Sequence, residues 1–170
     1  MATTERTQQT VAEIAESYFE AVANRDIEGM LSHWHPDGTG YIHGMVDVTV
    51  PDTYRGWFAD LFKAFPDFKF EVLDIVADDE KAAVRWRATG TFTGPVRFEG
   101  MIANAKPVES EGVDVLTVRD GKLVSIYAYT NGTVMARQLG ALPPEGSAQE
   151  KAMLGALNTK TRLTQRLKRS

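Results

Sequence analysis

From Phe68 onward the apolar residues recur every second position, and they do so almost without interruption to Asn131. "FKFEVLDIVADD" (68–79), "KAAVRWRATGTFTG" (81–94), "VRFEGMIAN" (96–104), "KPVESEGVDVLTVRDG" (106–121) and "KLVSIYAYTN" (122–131) each alternate in this way. A period of two puts one set of side chains on one face of an extended chain, so these segments read as successive strands. The turns "ADDEK" and "RDGK" are hairpin connections, and short connections imply antiparallel pairing.

Before Phe68 the period is that of a helix. Val11, Ile14, Ala15, Tyr18, Phe19 and Val22 form one stripe, opened by a capping box at Thr10–Glu13 or by Thr7 a turn earlier. Asp26 is an N-cap for a second helix that buries Ile27, Met30, Leu31 and Trp34 and ends at Pro36. A third helix, roughly 53–64, carries Tyr54, Trp57, Phe58, Leu61 and Phe62. Helices first and a strand meander afterwards predict an α+β fold: a curved antiparallel sheet wrapped around the N-terminal helices as a cone, with a pocket at its open end. Residues 132–139 read as a short helix closed by Gly140, "LPPEGS" as a linker, and 148–167 as an extra C-terminal helix with a weak stripe of Met153, Leu154, Leu157, Leu163 and Leu167. The expected division is a cone domain at 1–142 and a linker plus basic helix at 143–170.

Charge and composition narrow the function. The chain lacks cysteine, which removes disulfides, thiolate metal sites and cysteine nucleophiles. No apolar run approaches the ~18 residues of a membrane span, and "MATTERTQQT" lacks the apolar centre of a secretory signal, so a cytoplasmic protein without a membrane partner is expected. The net charge of −4 divides into +5 for residues 148–170 and −9 for the rest. An acidic body is a poor partner for phosphates, so no nucleic-acid binding is expected.

Several residues carry possible chemistry. Asp114 stands inside the apolar strand "GVDVLTV", where a carboxyl needs a reason: either a raised pKa or an arginine partner such as Arg85 or Arg87. Tyr18 lies on the apolar stripe of the first helix, as core or as a hydroxyl donor. All three histidines fall within "LSHWHPDGTGYIHG" (31–44). His33 and His35 flank a buried tryptophan at a helix end, where the dipole favours them, and "HWH" is poor zinc geometry, so no metal is expected. His43 shares a face with Tyr41 if that segment is extended, and is the candidate base. Tyr127, Tyr129 and Asn131 alternate on one face of the last strand. Asn131 is also placed to N-cap the helix that follows.

"YFEAVANRD", "AFPDFKFEVLDIVADDEKAAVRWRATGTFTG", "EGVDVLTVRDGKLVSIYAY" and "ARQLG", in this order, resemble the SnoaL-like polyketide cyclase family of the ketosteroid isomerase and nuclear-transport-factor-2-like superfamily. The resemblance spans roughly residues 11–140. It implies cofactor-independent proton transfer, by cyclisation or isomerisation, on a hydrophobic polyketide- or steroid-like ketone, and homodimers formed through the uncovered sheet face. Carried onto this chain, it implies that Tyr18 or Asp114 holds the substrate oxygen and that His43 lies in the segment bearing an acid/base residue. It also implies that Tyr127, Tyr129 and Asn131 face the pocket. Asn131 departs from the family: the position is typically a proton-moving aspartate, and an amide can donate to an enolate but cannot take its proton. Tyr41, Trp57, Phe62, Trp86, Phe92 and Met101 complete the expected lining, with Phe92 where many relatives carry histidine. Two alternatives remain open on the same fold. One is an epoxide hydrolase or hydroxylase-like site built from Asn131, Tyr129 and Asp74; the other is non-catalytic ligand binding.

Overall fold

The computed structural model describes residues 9–168; the polar N-terminal residues 1–8, with Thr7, and the final Arg169 and Ser170 lie outside the described residues. Helix α1 (Val11–Ala23) begins with the expected capping box: Glu13 N–H donates to Thr10 Oγ1 at 3.3 Å, and Thr10 N–H to Glu13 Oε2 at 2.8 Å. Helix α2 (Ile27–Ser32) is capped by Asp26, whose carboxylate accepts from Gly29 N–H at 2.9 Å. It is shorter than its apolar stripe suggests. Trp34 and Pro36 belong to strand β1 (Trp34–Ile42), and Trp34 reaches the core from the strand instead. Proline disfavours helical backbone in the residue before it, which pushes His35 into extended geometry and ends the helix ahead of Trp34. Strand β2 (Val46–Thr49) returns along β1, and helix α3 (Asp52–Ala64) follows.

Four more strands complete the sheet: β3 (Lys69–Ala77), β4 (Lys81–Thr91), β5 (Pro107–Arg119) and β6 (Lys122–Thr130). Their order is β2-β1-β6-β5-β4-β3. The ladders are antiparallel except β1 against β6, which is parallel, so the curved sheet is mixed rather than wholly antiparallel. The meander reads correctly from its hairpins, but β1 reaches β6 across the whole body and no short connection signals its direction. "VRFEGMIAN" is not a strand either. Its only pairing is a bridge between Phe98 and Met101 around a tight turn, with Glu99 and Gly100 at positive φ. Thr93 and Gly94 N–H donate to Ala64 O at the end of α3, so this segment is held by the helix and not by the sheet.

The register separates two faces. Val84, Trp86, Asp114, Leu116 and Ile126 point inward with Ile14, Tyr18, Phe19, Met30 and Tyr54 of the helices, forming one core. Tyr41, Arg85, Val113, Tyr127 and Tyr129 point outward. The chain divides into two compact units, one ending at Asn131 and the other starting at Gly132. The second unit contains α4 (Gly132–Leu139) and α5 (Ala148–Leu167). Arg137 of α4 pairs with Glu150 of α5, and Ser147 caps α5 by accepting from Glu150 N–H at 3.1 Å. No residue of α5 is buried.

Candidate functional site

Burying oxygen and nitrogen in an apolar core costs free energy unless they are paired, so polar atoms deep in the interior mark where something other than packing is served. Five aromatic or acidic side chains bring such atoms together inside the first unit. Tyr18 of α1 and Tyr54 of α3 share a hydrogen bond between hydroxyls at 2.6 Å, with both side chains buried. The Trp34 ring packs edge-on against both, at centroid distances of 6.3 and 5.4 Å. Its Nε1–H is buried and meets no acceptor at full hydrogen-bonding geometry among the described residues, but it lies close enough to the Tyr18 and Tyr54 hydroxyls to pull both pKa values down, against the effect of burial. Asp114 is 8% exposed, and its Oδ1 accepts from Trp86 Nε1–H at 2.7 Å.

The electrostatics follow from the burial. Desolvation pushes Asp114 up to about 7, against the pull of the Trp86 hydrogen bond, which favours the carboxylate. Desolvation likewise raises Tyr18 well above the ordinary tyrosine value, and Tyr54 as well; the nearby Asp114 charge pushes both further in the same direction. The result is a carboxyl that can change protonation near neutral pH beside hydroxyls that stay protonated and can donate. Behind Tyr18, Ser17 Oγ is hydrogen-bonded to His33 Nε2 at 3.3 Å, and burial followed by the Lys122 charge lowers the His33 pKa. His33 is therefore a neutral, half-buried cap of α2.

The other expected site residues lie elsewhere. Tyr41 and His43 do share a face, but it is the outer face of the sheet, not the interior. Tyr41 stacks on Tyr127 at 4.5 Å, and His43 on Tyr129 at 4.4 Å. Tyr127 and Tyr129 are 37% and 50% exposed, so that side of β6 does not line the interior. Asn131 is exposed just beyond β6, and Asp74 is exposed on β3. Trp57 and Phe62 are half-buried on α3; Trp57 Nε1–H donates to Glu99 Oε1 at 3.1 Å. Phe92 is fully buried against Phe65 at 5.2 Å, and Met101 bridges Phe98. Of the expected set, the structure gathers Tyr18, Asp114 and Trp86. Tyr54 and Trp34 join them unforeseen. Both belong to apolar stripes, and helical periodicity cannot show that two aromatic residues from different elements aim their polar atoms at each other.

The comparisons with known proteins agree with this architecture. Residues 15–126 match the SnoaL-like domain family model. AclR, a candidate hydroxylase of Streptomyces galilaeus, is 27% identical, with 77% of this chain and 96% of AclR covered at a TM-score of 0.66. IdmH, a candidate polyketide cyclase of Streptomyces antibioticus, is 26% identical, covering 75% of this chain and 96% of IdmH at 0.60. A candidate SnoaL-like polyketide cyclase of Jannaschia sp. CCS1, 18% identical, shares the fold over 84% of this chain and all of its own length at 0.67. No curated protein matches the sequence. With most of its length under the family model and a six-stranded sheet closed over three helices, the chain belongs to the SnoaL-like domain family.

Proposed function

We propose that the protein is a cofactor-independent enzyme that transfers a proton at a carbon next to the carbonyl of a hydrophobic polyketide- or steroid-like ketone. The observation that carries this reading is Asp114, a buried carboxyl poised near neutral pH beside the Tyr18–Tyr54 pair. Asp114 as carboxylate takes the proton from the carbon, and the C–H electron pair forms the enolate double bond. The carbonyl oxygen, now negative, is held by Tyr18, whose hydroxyl Tyr54 and the Trp34 N–H support. Asp114 then returns the proton to another carbon in an isomerisation; in a cyclisation the enolate carbon bonds to a second carbonyl carbon, and the oxygen of that carbonyl takes the proton from Asp114. Donors already in place for a developing oxyanion are worth about 10²–10³ in rate each, and a positioned base about 10²–10⁴. The test is incubation with hydrophobic ketones in heavy water. Deuterium on the product carbon, lost in Asp114→Asn, supports the reading; a panel of such ketones that exchanges no faster than with Asp114→Asn overturns it.

The likeness to AclR favours a second reading, hydroxylation at the same interior site. Heavy oxygen from labelled water or dioxygen in the product would identify it. The proposal includes a homodimer formed through the outer sheet face, supported by the exposed rings of Tyr127 and Tyr129. A cytoplasmic location is part of the same reading; among the described residues no helix is long and apolar enough to cross a membrane.

A further inference from the structure

Trp86 and Asp114 are not direct cross-strand neighbours. The β4–β5 ladder sets Trp86 opposite Gly112, and Asp114 opposite Val84. To donate to Asp114, the indole must lean along β5 by one same-face step, across the position of Gly112. Gly112 is what permits this. A Cβ there would overlap indole Cζ2, would fall 2.8 Å from indole Cε2 and 2.6 Å from the Tyr129 carbonyl oxygen, and so could not coexist with the ring where it lies. The lean ends at Oδ1, which accepts the Nε1–H bond, and leaves Oδ2 without a hydrogen-bond partner among the described residues.

We propose that Trp86 is a positioning residue for Asp114: its indole N–H, admitted by the bare backbone of Gly112, fixes one carboxyl oxygen and leaves the other to exchange a proton. This rests on the reading of Asp114 as the proton-moving group. The bond favours the charged form, so it also sets how readily Asp114 acts as a base. Little else facing the carboxyl competes with it. The ionisable groups turned toward it are the hydroxyls of Tyr18 from α1 and Tyr54 from α3, and its ladder partners on β4 and β6 are Val84 and Ala128.

The experiment is a ¹³C NMR titration of aspartate-labelled protein, with Asp114→Asn identifying the Asp114 signal. Trp86→Phe keeps a ring and removes the donor; the Asp114 pKa should rise by about one unit, a tenfold gain in proton affinity. The rising limb of the pH–rate profile should move up by the same amount. Gly112→Ala, which displaces the ring, should act in the same direction. In the unaltered protein the Trp86 indole N–H resonance should titrate with the Asp114 midpoint, a readout that stands whether or not either variant folds. A flat indole resonance, or an unmoved Asp114 pKa in folded Trp86→Phe, overturns the positioning role. An Asp114→Asn protein that retains full activity would instead overturn the assignment of Asp114 as the proton carrier, while the titration still decides what Trp86 does to it.

Discussion

At the scale of single residues, the burial of Asp114 makes its charge costly to the fold. Its pKa is near 3.8 when solvated and about 7 when folded. A raised folded value means that the contribution to stability is complete below the unfolded pKa and is lost as pH rises to the folded one. Above about pH 7 the loss is on the order of 4 kcal/mol. Asp114→Asn, permanently neutral and still able to accept from Trp86, should therefore match the parent near pH 4 and unfold later than it at pH 8, by thermal or denaturant melts. The same substitution should lower turnover by about 10³-fold. A variant that melts earlier at pH 8 would show that the carboxylate is stabilised there by something else. Tyr18→Phe should cost about 10²-fold in kcat with little change in KM, because its donation counts most once the oxygen is charged. Asp114 was legible from sequence because a carboxyl in an apolar strand is an anomaly. Trp34 and Tyr54 were not, because aromatic rings on an apolar stripe already have a sufficient explanation in the core. The face of Tyr41 and His43 was lost in the glycine-rich run before them, where no apolar alternation ties the segment to one side of the sheet.

At the scale of elements, the helices and β3 to β6 follow from periodicity and from caps such as Thr10 and Asp26, since both depend on neighbours in sequence. The segment after β4 does not, because contacts distant in sequence decide it. Gly94 lies against the last turn of α3: a Cβ there would overlap the Lys63 carbonyl oxygen and fall 2.8 Å from Ala64 Cα. Phe98 continues the attachment, packing on Phe65 and Trp57 at 5.6 and 5.7 Å. Gly94→Ala should thus cost about 2 kcal/mol by overpacking. Hydrogen exchange should also speed up at Phe98 and Met101 more than in β5. An unchanged denaturation midpoint would mean that this contact does not hold the segment to α3.

At the scale of the whole molecule, the proposed homodimer makes testable demands on the outer sheet face and on the terminal helix. The rings of Tyr41 on β1, His43 just beyond it, and Tyr127 and Tyr129 on β6 form a stacked ladder on the outer sheet face. A standard-sized interface buries about 800 Å² per partner, which the proposed dimer would draw from this face. Light scattering at tens of micromolar should give twice the 18.8 kDa chain mass, and Tyr129→Arg should shift it toward a single chain. Removing residues 145–170, which carry the excess of positive charge, should weaken association more at low salt than at high salt, if that charge attracts the acidic remainder of a second copy. The parallel ladder between β1 and β6 has a consequence of another kind. Tyr41 pairs with Tyr127, and about half the chain lies between them. During synthesis β1 has only β2 to pair with until β6 has emerged. The β3–β4 and β4–β5 hairpins can form as they appear, whereas the sheet joins only at the end. While the intervening residues are made, β1 thus keeps an unpaired edge, so slower elongation or a smaller chaperone supply should lower the yield of folded protein.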